Sequence, residues 1–339
     1  MPAVTVRSFA KINIGLAIGP RRRDGFHELR TVYQTISLSD TLKVDVQRGS
    51  GIEIRCRNSR VPCDETNTCW RIADRVMKLL KVRGKAIITL EKHLPLQGGL
   101  GGASANGVAT MLALERVLEN PLEPEQRMRM ASEVGSDLPL FLLGGTILGA
   151  GRGEEVYPLE DLPPLHLVVA NHPVGVSTPQ AFADWDSQFG GQRKEEGEGD
   201  PRLTHSAGSA TIGLFGQRVF SWLSARLPRA ELGANTGVPA VSGSRAETPL
   251  LDLVRAGIEN DFERVVFPKH PELREVKRGL ERAGAKYASL SGSGSCVYGV
   301  FDTAEQSVDA AEKLAAAGGN AVVAGSLSRE EYWRKMFEV

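Results

Sequence analysis

The 339-residue sequence has few cysteines and no spacing that would pair them or bind a metal. Its four cysteines include no CxxC pair and are too few to cross-link a chain of this length; they are Cys56, Cys63, Cys69 and Cys296. We therefore expect reduced thiols, and the missing ligand spacing disfavours a zinc site. The six histidines contain no HxH or HxxxH pair, which argues against a dedicated metal site.

The sequence also lacks a long hydrophobic run and an excess of either charge. No stretch of about 18 apolar residues is present, so no membrane span is predicted. Lys11 and Asn13 interrupt the apolar N-terminal stretch, and its basic cluster follows rather than precedes it, unlike a signal peptide. Basic and acidic residues number 41 each, which argues against a general nucleic-acid binder. We expect a cytoplasmic protein without membrane or nucleic-acid partners, as a monomer or a homodimer.

What is present is an alternation of strand and helix signals. Short runs rich in β-branched residues predict a mostly antiparallel sheet in the first third, at residues 4–7, 11–18, 31–38, 41–47 and 52–56. Asn67 is a candidate N-cap for a helix whose apolar residues recur at a spacing of three and four. A strand at 85–92 then leads into a glycine-rich segment and an apolar helix.

The pattern starts again at Leu165, which indicates a second domain. Strands are predicted at 167–170, 288–290, 296–301 and 321–324, and helices at 272–283 and 304–317. We therefore expect an α+β protein with domains at 1–160 and 165–327 and a tail at 328–339. Residues from about 186 to 248 exceed a normal connection and are interpreted as an insertion in the second domain.

Four glycines in five residues, from Gly98 to Gly102, separate the strand at 85–92 from the apolar helix. Backbone amides without a Cβ can crowd around an anion, and the helix N-terminus adds a partial positive charge, so a phosphate is the natural ligand. A Walker A loop is excluded because Ala86 follows the single Gly-Lys pair. A dinucleotide fingerprint is excluded because Ser104 stands where its third glycine belongs. The alternative without a ligand is a tight strand-to-helix turn.

Three segments together resemble the GHMP kinases, in the order that this family shows. Residues 95–105 resemble its second motif, which wraps the phosphates of ATP, while residues 10–16 and 291–296 resemble its first and third motifs. The resemblance spans nearly the whole chain. It implies a two-domain fold, with an N-terminal α/β domain of the ribosomal-protein-S5-domain-2-like type, a ferredoxin-like α+β C-terminal domain and the active site in the cleft between them.

The resemblance implies ATP and Mg²⁺ as cofactors and assigns the phosphates to the glycine-rich segment. Its implied ATP-binding residues are Pro95, Leu96, Gln97, Gly98, Gly99, Leu100, Gly101, Gly102, Ala103, Ser104 and Ala105. The family loop is commonly GGGLGGGSS, and this chain departs from it at Gln97, Ala103 and Ala105. Ser104 is then the one loop hydroxyl left to assist Mg²⁺, which would be held mainly by ATP and water.

Residues 24–29 and 135–141 narrow the resemblance to GHMP kinases that phosphorylate the 2-hydroxyl of a cytidine-diphosphate-linked methylerythritol, in the non-mevalonate route to isoprenoids. Those members usually carry DGYH and GADVPF at these places. The resemblance implies that Asp137 is the catalytic base and that Lys11 is the cation that lowers the pKa of the hydroxyl. It implies substrate-binding roles for Asn13, Phe26, His27, Phe182, Gly292 and Ser293. His27 would hydrogen-bond the cytosine, and the rings of Phe26, in place of the usual tyrosine, and Phe182 would stack on it.

Without the resemblance, plainer interpretations apply to these residues. Asp137 would be a helix N-cap or turn carboxylate, Lys11 a solvated strand lysine and His27 a packed or surface residue. Two other functions stay open: another small-molecule GHMP kinase, of the homoserine or mevalonate kinase type, and a non-catalytic nucleotide-binding module. His27 argues against the first, since those enzymes have no cytosine to bind, and the retained Lys11 and Asp137 argue against the second.

Overall fold

The first sheet is built on two long antiparallel strands. The computed structural model describes residues 2–190 and 258–338, and in it β1 (Val4–Arg21) pairs with β2 (His27–Gln47). The sequence predicted four shorter strands here. Register shifts, one of them between Phe9 and Ala10, let each strand bend and continue where the sequence suggested a break.

Four shorter strands complete this sheet. They are β3 (Gly51–Cys56), β4 (Lys85–Glu91), β5 (Thr146–Ala150) and β6 (Glu155–Pro158). The order is β3-β4-β2-β5-β6, with β1 on β2, and every pairing is antiparallel except β3 with β4. The prediction of a mostly antiparallel sheet is confirmed.

The N-terminal helices bury their apolar residues against this sheet. They are α1 (Thr68–Leu79), α2 (Gly102–Leu118), α3 (Pro124–Val134) and α4 (Leu138–Phe141). Ile72, Val108 and Met111 are fully buried in their common core. Asn67 caps α1 by accepting from the Cys69 N–H at 2.8 Å, so the predicted N-cap is confirmed.

The second sheet has four strands, β7 (His166–Asn171), β8 (Tyr287–Leu290), β9 (Cys296–Phe301) and β10 (Asn320–Gly325). It is fully antiparallel and has the order β10-β7-β9-β8. The described helices of this half are α5 (Thr178–Phe189), α6 (Glu263–Lys269), α7 (Pro271–Arg282) and α8 (Ala304–Ala316).

Strand β1 joins the two halves. Ile12 and Ile14 are buried in a cluster with Leu167 and Tyr298 of the second sheet. The Leu16 N–H donates to the Glu259 carbonyl at 2.9 Å, so the backbone of β1 is also tied to the chain just before α6. The α+β architecture expected from the sequence is confirmed, and residues at the centre of β1 lie where the two halves meet.

The C-terminal residues correct one expectation. Residues 328–339 were expected to be a tail, but α9 (Arg329–Met336) packs on the N-terminal core. Its Tyr332 is buried and donates to the Phe141 carbonyl at 2.7 Å. Ser328 and Glu331 form a capping box that starts the helix, a local signal that the sequence interpretation overlooked.

The structure also corrects where the expected insertion at about 186–248 begins. Residues 186–189 continue α5, whose Ser177 N-cap accepts from the Gln180 N–H. Residues 191–248 of the insertion lie outside the described residues. Among the helices of residues 2–190 and 258–338, none is long and apolar enough to cross a membrane.

Candidate active site

The glycine-rich segment and the 291–296 turn, far apart in sequence, lie against each other. The Ser295 N–H donates to the Gln97 carbonyl at 3.3 Å, and the Cys296 N–H donates to the Gly98 carbonyl at 3.1 Å. A Cβ at Gly99 would lie 1.9 Å from the Ser291 carbonyl oxygen, so this approach requires glycine. The second and third motifs therefore form one structural unit.

The segment ends at the N-terminus of α2 in a form suited to an anion. Gly101 is the N-cap in the left-handed region, at φ +69°, and among the described residues no side chain caps the helix. The N–H groups of the first turn are therefore open to a ligand. Ser104 is half-buried in that turn, and Lys92, which is buried and paired with Asp40, lies beside Gly102.

Lys11 connects this loop to Asp137. Its ammonium donates to the Gly99 carbonyl at 2.8 Å and to Asn13 Oδ1 at 2.6 Å, and it lies 3.7 Å from Asp137 Oδ2. Burial lowers the pKa of Lys11, and the charge of Asp137 opposes that shift. Lys11 is 3% exposed, so the interpretation as a solvated strand lysine is wrong.

Asp137 is positioned so that its carboxylate stays accessible. It begins the short helix α4 but makes no capping hydrogen bond, so the N-cap interpretation does not account for its side chain, which is 35% exposed. Both of its polar contacts are long, one to Lys11 and one at 3.4 Å from Tyr33 Oη. Lone pairs are therefore left for a further hydrogen-bond donor.

Tyr33 is a site residue that sequence reasoning missed. Burial, with the Asp137 charge as a second cause, raises the pKa of this phenol, so it keeps its proton and donates to Asp137. The Lys11 ammonium lies 5.6 Å from the centre of its ring. The register of the β1–β2 hairpin could have identified Tyr33, because this residue lies opposite Asn13 in the pairing.

Asn13 and the 291–296 turn complete the centre of the site. Asn13 is buried and donates to Thr31 Oγ1 at 2.8 Å while its own oxygen accepts from Lys11. A Cβ at Gly292 would lie 3.4 Å from Asn13 Oδ1, which places this glycine beside the Lys11–Asn13 pair. The Ser293 hydroxyl lies 2.7 Å from the Thr178 hydroxyl at the start of α5. Lys11, Asn13, Asp137 and Gly292 are thus brought together.

The three residues predicted to bind a base lie at α5 and at the start of β2. His27 is buried, and its ring stacks on Phe182 with centroids 5.2 Å apart and planes 6° apart. Its Nδ1 lies 3.1 Å from the Gly19 carbonyl oxygen and its Nε2 lies 3.1 Å from Asp186 Oδ1. Phe26 is half exposed, with the Arg152 guanidinium 4.9 Å from its ring centre. Phe182 therefore contacts His27, whereas Phe26 contacts Arg152.

Comparison with known proteins agrees with this arrangement. The family model described as GHMP kinases N terminal domain matches residues 67–145, and that described as GHMP kinases C terminal matches residues 246–320. The 4-diphosphocytidyl-2-C-methyl-D-erythritol kinase of Solibacter usitatus is 35% identical over 296 residues, covering 87% of this chain and 80% of that protein. This chain belongs to that kinase family. The enzyme of the same name from Acaryochloris marina is 32% identical and covers 89% of this chain and 88% of that one.

Solved structures share the fold of this chain. A crystal structure of 4-(cytidine 5'-diphospho)-2C-methyl-D-erythritol kinase matches with a TM-score of 0.69 and 28% identity, covering 95% of this chain and 99% of that one. Homoserine kinase from Cytophaga hutchinsonii matches with a TM-score of 0.65 but 18% identity, covering 97% and 95%. The GHMP kinase fold is confirmed by these structures, and the identities of 35% and 32% to the two curated relatives decide the family.

The described residues fit a nucleotide better than a dedicated metal centre. In residues 2–190 and 258–338, no group of three or more His, Cys, Asp or Glu side chains could hold a metal ion. The open amides of α2 and the Ser104 hydroxyl are suited to phosphate oxygens and to an ion that those oxygens already bind.

Proposed function

We propose that this protein transfers the γ-phosphate of ATP to the 2-hydroxyl of 4-diphosphocytidyl-2-C-methyl-D-erythritol, giving the 2-phosphate and ADP in the non-mevalonate route to isoprenoid precursors. The observation that carries the proposal is the position of Lys11. One buried ammonium contacts the Gly99 carbonyl of the phosphate-binding segment and lies 3.7 Å from the Asp137 carboxylate. The phosphate-binding and proton-accepting groups are thereby held side by side. The family to which the chain belongs supports the choice of substrate.

The N-terminus of α2 would hold the phosphates of ATP. Its open N–H groups and partial positive charge stabilise an anion, and the glycines let the backbone approach it closely. The whole segment from Pro95 to Ala105 is assigned to this role. Mg²⁺ neutralises phosphate charge when bound, and Ser104 is the loop side chain that would contact it.

Asp137 would accept the proton of the 2-hydroxyl. Lys11 offsets the negative charge that spreads over the transferred phosphoryl group and its neighbours, which is the main requirement of phosphoryl transfer. Tyr33 donates to Asp137 Oδ1 and so fixes the orientation of the carboxylate. Asn13 holds the Lys11 ammonium and, with Gly292 and Ser293, would line the acceptor side of the site.

His27 and Phe182, with Phe26 at the half-exposed edge, would bind the cytosine. Their supporting observation is the parallel stacking of His27 on Phe182, which brings aromatic ring faces together between α5 and the start of β2. Stacking a base on an aromatic side chain contributes about 1–3 kcal/mol.

The test is an assay of ADP release with four acceptors. They are 4-diphosphocytidyl-2-C-methyl-D-erythritol, cytidine diphosphate, homoserine and mevalonate. We expect ADP release with the first alone. Release with homoserine or mevalonate instead would assign the chain to another GHMP kinase activity, and ATP binding without any turnover would indicate a non-catalytic module.

A further inference from the structure

The contact between His27 and Asp186 is not explained by the roles assigned so far. Both nitrogens of the His27 ring face oxygen atoms, the Gly19 carbonyl at Nδ1 and the Asp186 carboxylate at Nε2. The Gly19 carbonyl and the Asp186 carboxylate both accept hydrogen bonds, so the tautomer with its proton on Nε2 donates to Asp186 at 3.1 Å. Asp186 Oδ1 therefore lies within hydrogen-bond distance of the His27 ring.

Asp186 and Phe182 lie four residues apart on α5, which puts them on one face of the helix. The face of the His27 ring contacts Phe182 and its edge contacts Asp186. A pyrimidine base needs the same two kinds of contact, a surface for its face and polar groups for its edge. Asp186 therefore provides a polar group beside the surface on which the base would stack.

Among the described residues, the second oxygen of Asp186 has no partner. The side chain is 37% exposed, against 6% for His27, and Oδ2 makes no hydrogen bond with any residue of the described ranges. The neighbouring carboxylate on α5 is paired with a cation instead. Asp184 Oδ1 accepts from Lys269 at 2.6 Å and from Gln180 at 2.9 Å, so its charge is offset by Lys269, and its side chain is 16% exposed.

We propose that Asp186 is a specificity-determining residue that accepts a hydrogen bond from the exocyclic amino group of the cytosine. This inference rests on the proposed function, because it takes His27 and Phe182 as the base-binding surface. A carboxylate is a natural acceptor for the N4 amino group of cytosine, as in protein contacts to cytosine in DNA. Uracil presents the O4 oxygen at that place, whose lone pairs would face the carboxylate, so Asp186 also rejects uridine diphosphate substrates.

The test compares the wild type, Asp186→Asn and the matched control Asp184→Asn. Each is assayed with the cytidine-diphosphate alcohol and with its uridine-diphosphate analogue, and the binding of cytidine and uridine diphosphates is measured by calorimetry. Asparagine keeps the size of the side chain but can donate to O4 of uracil. We expect Asp186→Asn to raise KM for the cytidine substrate about 10- to 100-fold with little change in kcat, and to reduce the preference for cytidine by a similar factor. Asp184→Asn should retain the wild-type preference.

Three outcomes would overturn the inference, and they separate it from the proposed function. If Asp186→Asn keeps the cytidine preference while the wild type turns over the cytidine substrate, the inference alone is refuted. An equal rise in KM for both substrates would mean that Asp186 only positions His27. If the wild type binds both diphosphates equally, the base selectivity that the inference requires is absent. If the wild type shows no turnover but still binds cytidine diphosphate preferentially, only the proposed function is refuted.

Discussion

Replacing Asp261 by asparagine is expected to change how the stability of the protein depends on pH. Asp261 lies just before α6 and is 7% exposed. Its Oδ2 accepts from the Ile18 N–H at 2.9 Å, and its own N–H donates to the Leu16 carbonyl at 2.8 Å. These two hydrogen bonds tie the end of β1 to the second half of the chain.

Burial raises the pKa of Asp261 from 3.8 to about 6, although the hydrogen bond from Ile18 opposes the shift. A carboxyl group with a raised pKa in the folded state binds its proton more tightly when folded. Its contribution to stability is therefore complete below about pH 4 and is lost as the pH rises through about 6. At about 1.36 kcal/mol per pKa unit, the loss amounts to about 3 kcal/mol of unfolding free energy.

The measurement is urea unfolding of the wild type and Asp261→Asn at several values between about pH 4 and pH 7.5. Asparagine keeps an acceptor for the Ile18 N–H but has no charge to bury. The unfolding free energy of the wild type relative to the variant should fall by about 3 kcal/mol across this range. A difference that stays constant, or that increases with pH, would refute the reasoning, because the hydrogen bond would then outweigh burial.

Further predictions concern the site itself. Asp137→Asn should lower kcat by about 10²- to 10⁴-fold while ATP still binds in a titration, and near-normal turnover would rule out Asp137 as the base. Tyr33→Phe should lower kcat less than Asp137→Asn does and leave KM for ATP unchanged, because it removes one hydrogen bond of 3.4 Å to the carboxylate. A loss of kcat as large as that of Asp137→Asn would contradict a positioning role for Tyr33. Gln97 has φ +57°, a left-handed conformation that is strained for a residue with a Cβ. Gln97→Gly should therefore raise the unfolding free energy by about 1 kcal/mol in the same urea assay. An unchanged or lower unfolding free energy would show that contacts of the Gln97 side chain offset this strain.

The sequence predicted most elements of the described residues because their signals are local. The N-cap at Asn67, the helix after Gly102 and the strand Cys296–Phe301 depend on capping, backbone freedom and side-chain alternation within a few residues. The short strand β6 was not predicted. It has four residues and makes its hydrogen bonds to β5, so its own sequence carried little information.

The two residues that the sequence interpretation missed at the site have no such local signal. Tyr33 and Asp186 contact residues that are distant in sequence, Asp137 and His27. Neither residue belongs to a short motif, so no spacing within the chain marked it. Tyr33 would have required the register of the β1–β2 hairpin, and Asp186 would have required the packing of α5 against the start of β2.

By itself the sequence determined most elements, the glycine-rich segment before α2 and the family, because these depend on residue types at fixed short spacings. The tertiary structure alone decided that Lys11 is buried rather than solvated and that it contacts both Gly99 and Asp137. It also decided that α9 packs on the N-terminal core. The physical reason is that apolar periodicity specifies which face of an element is buried but not which partner covers it.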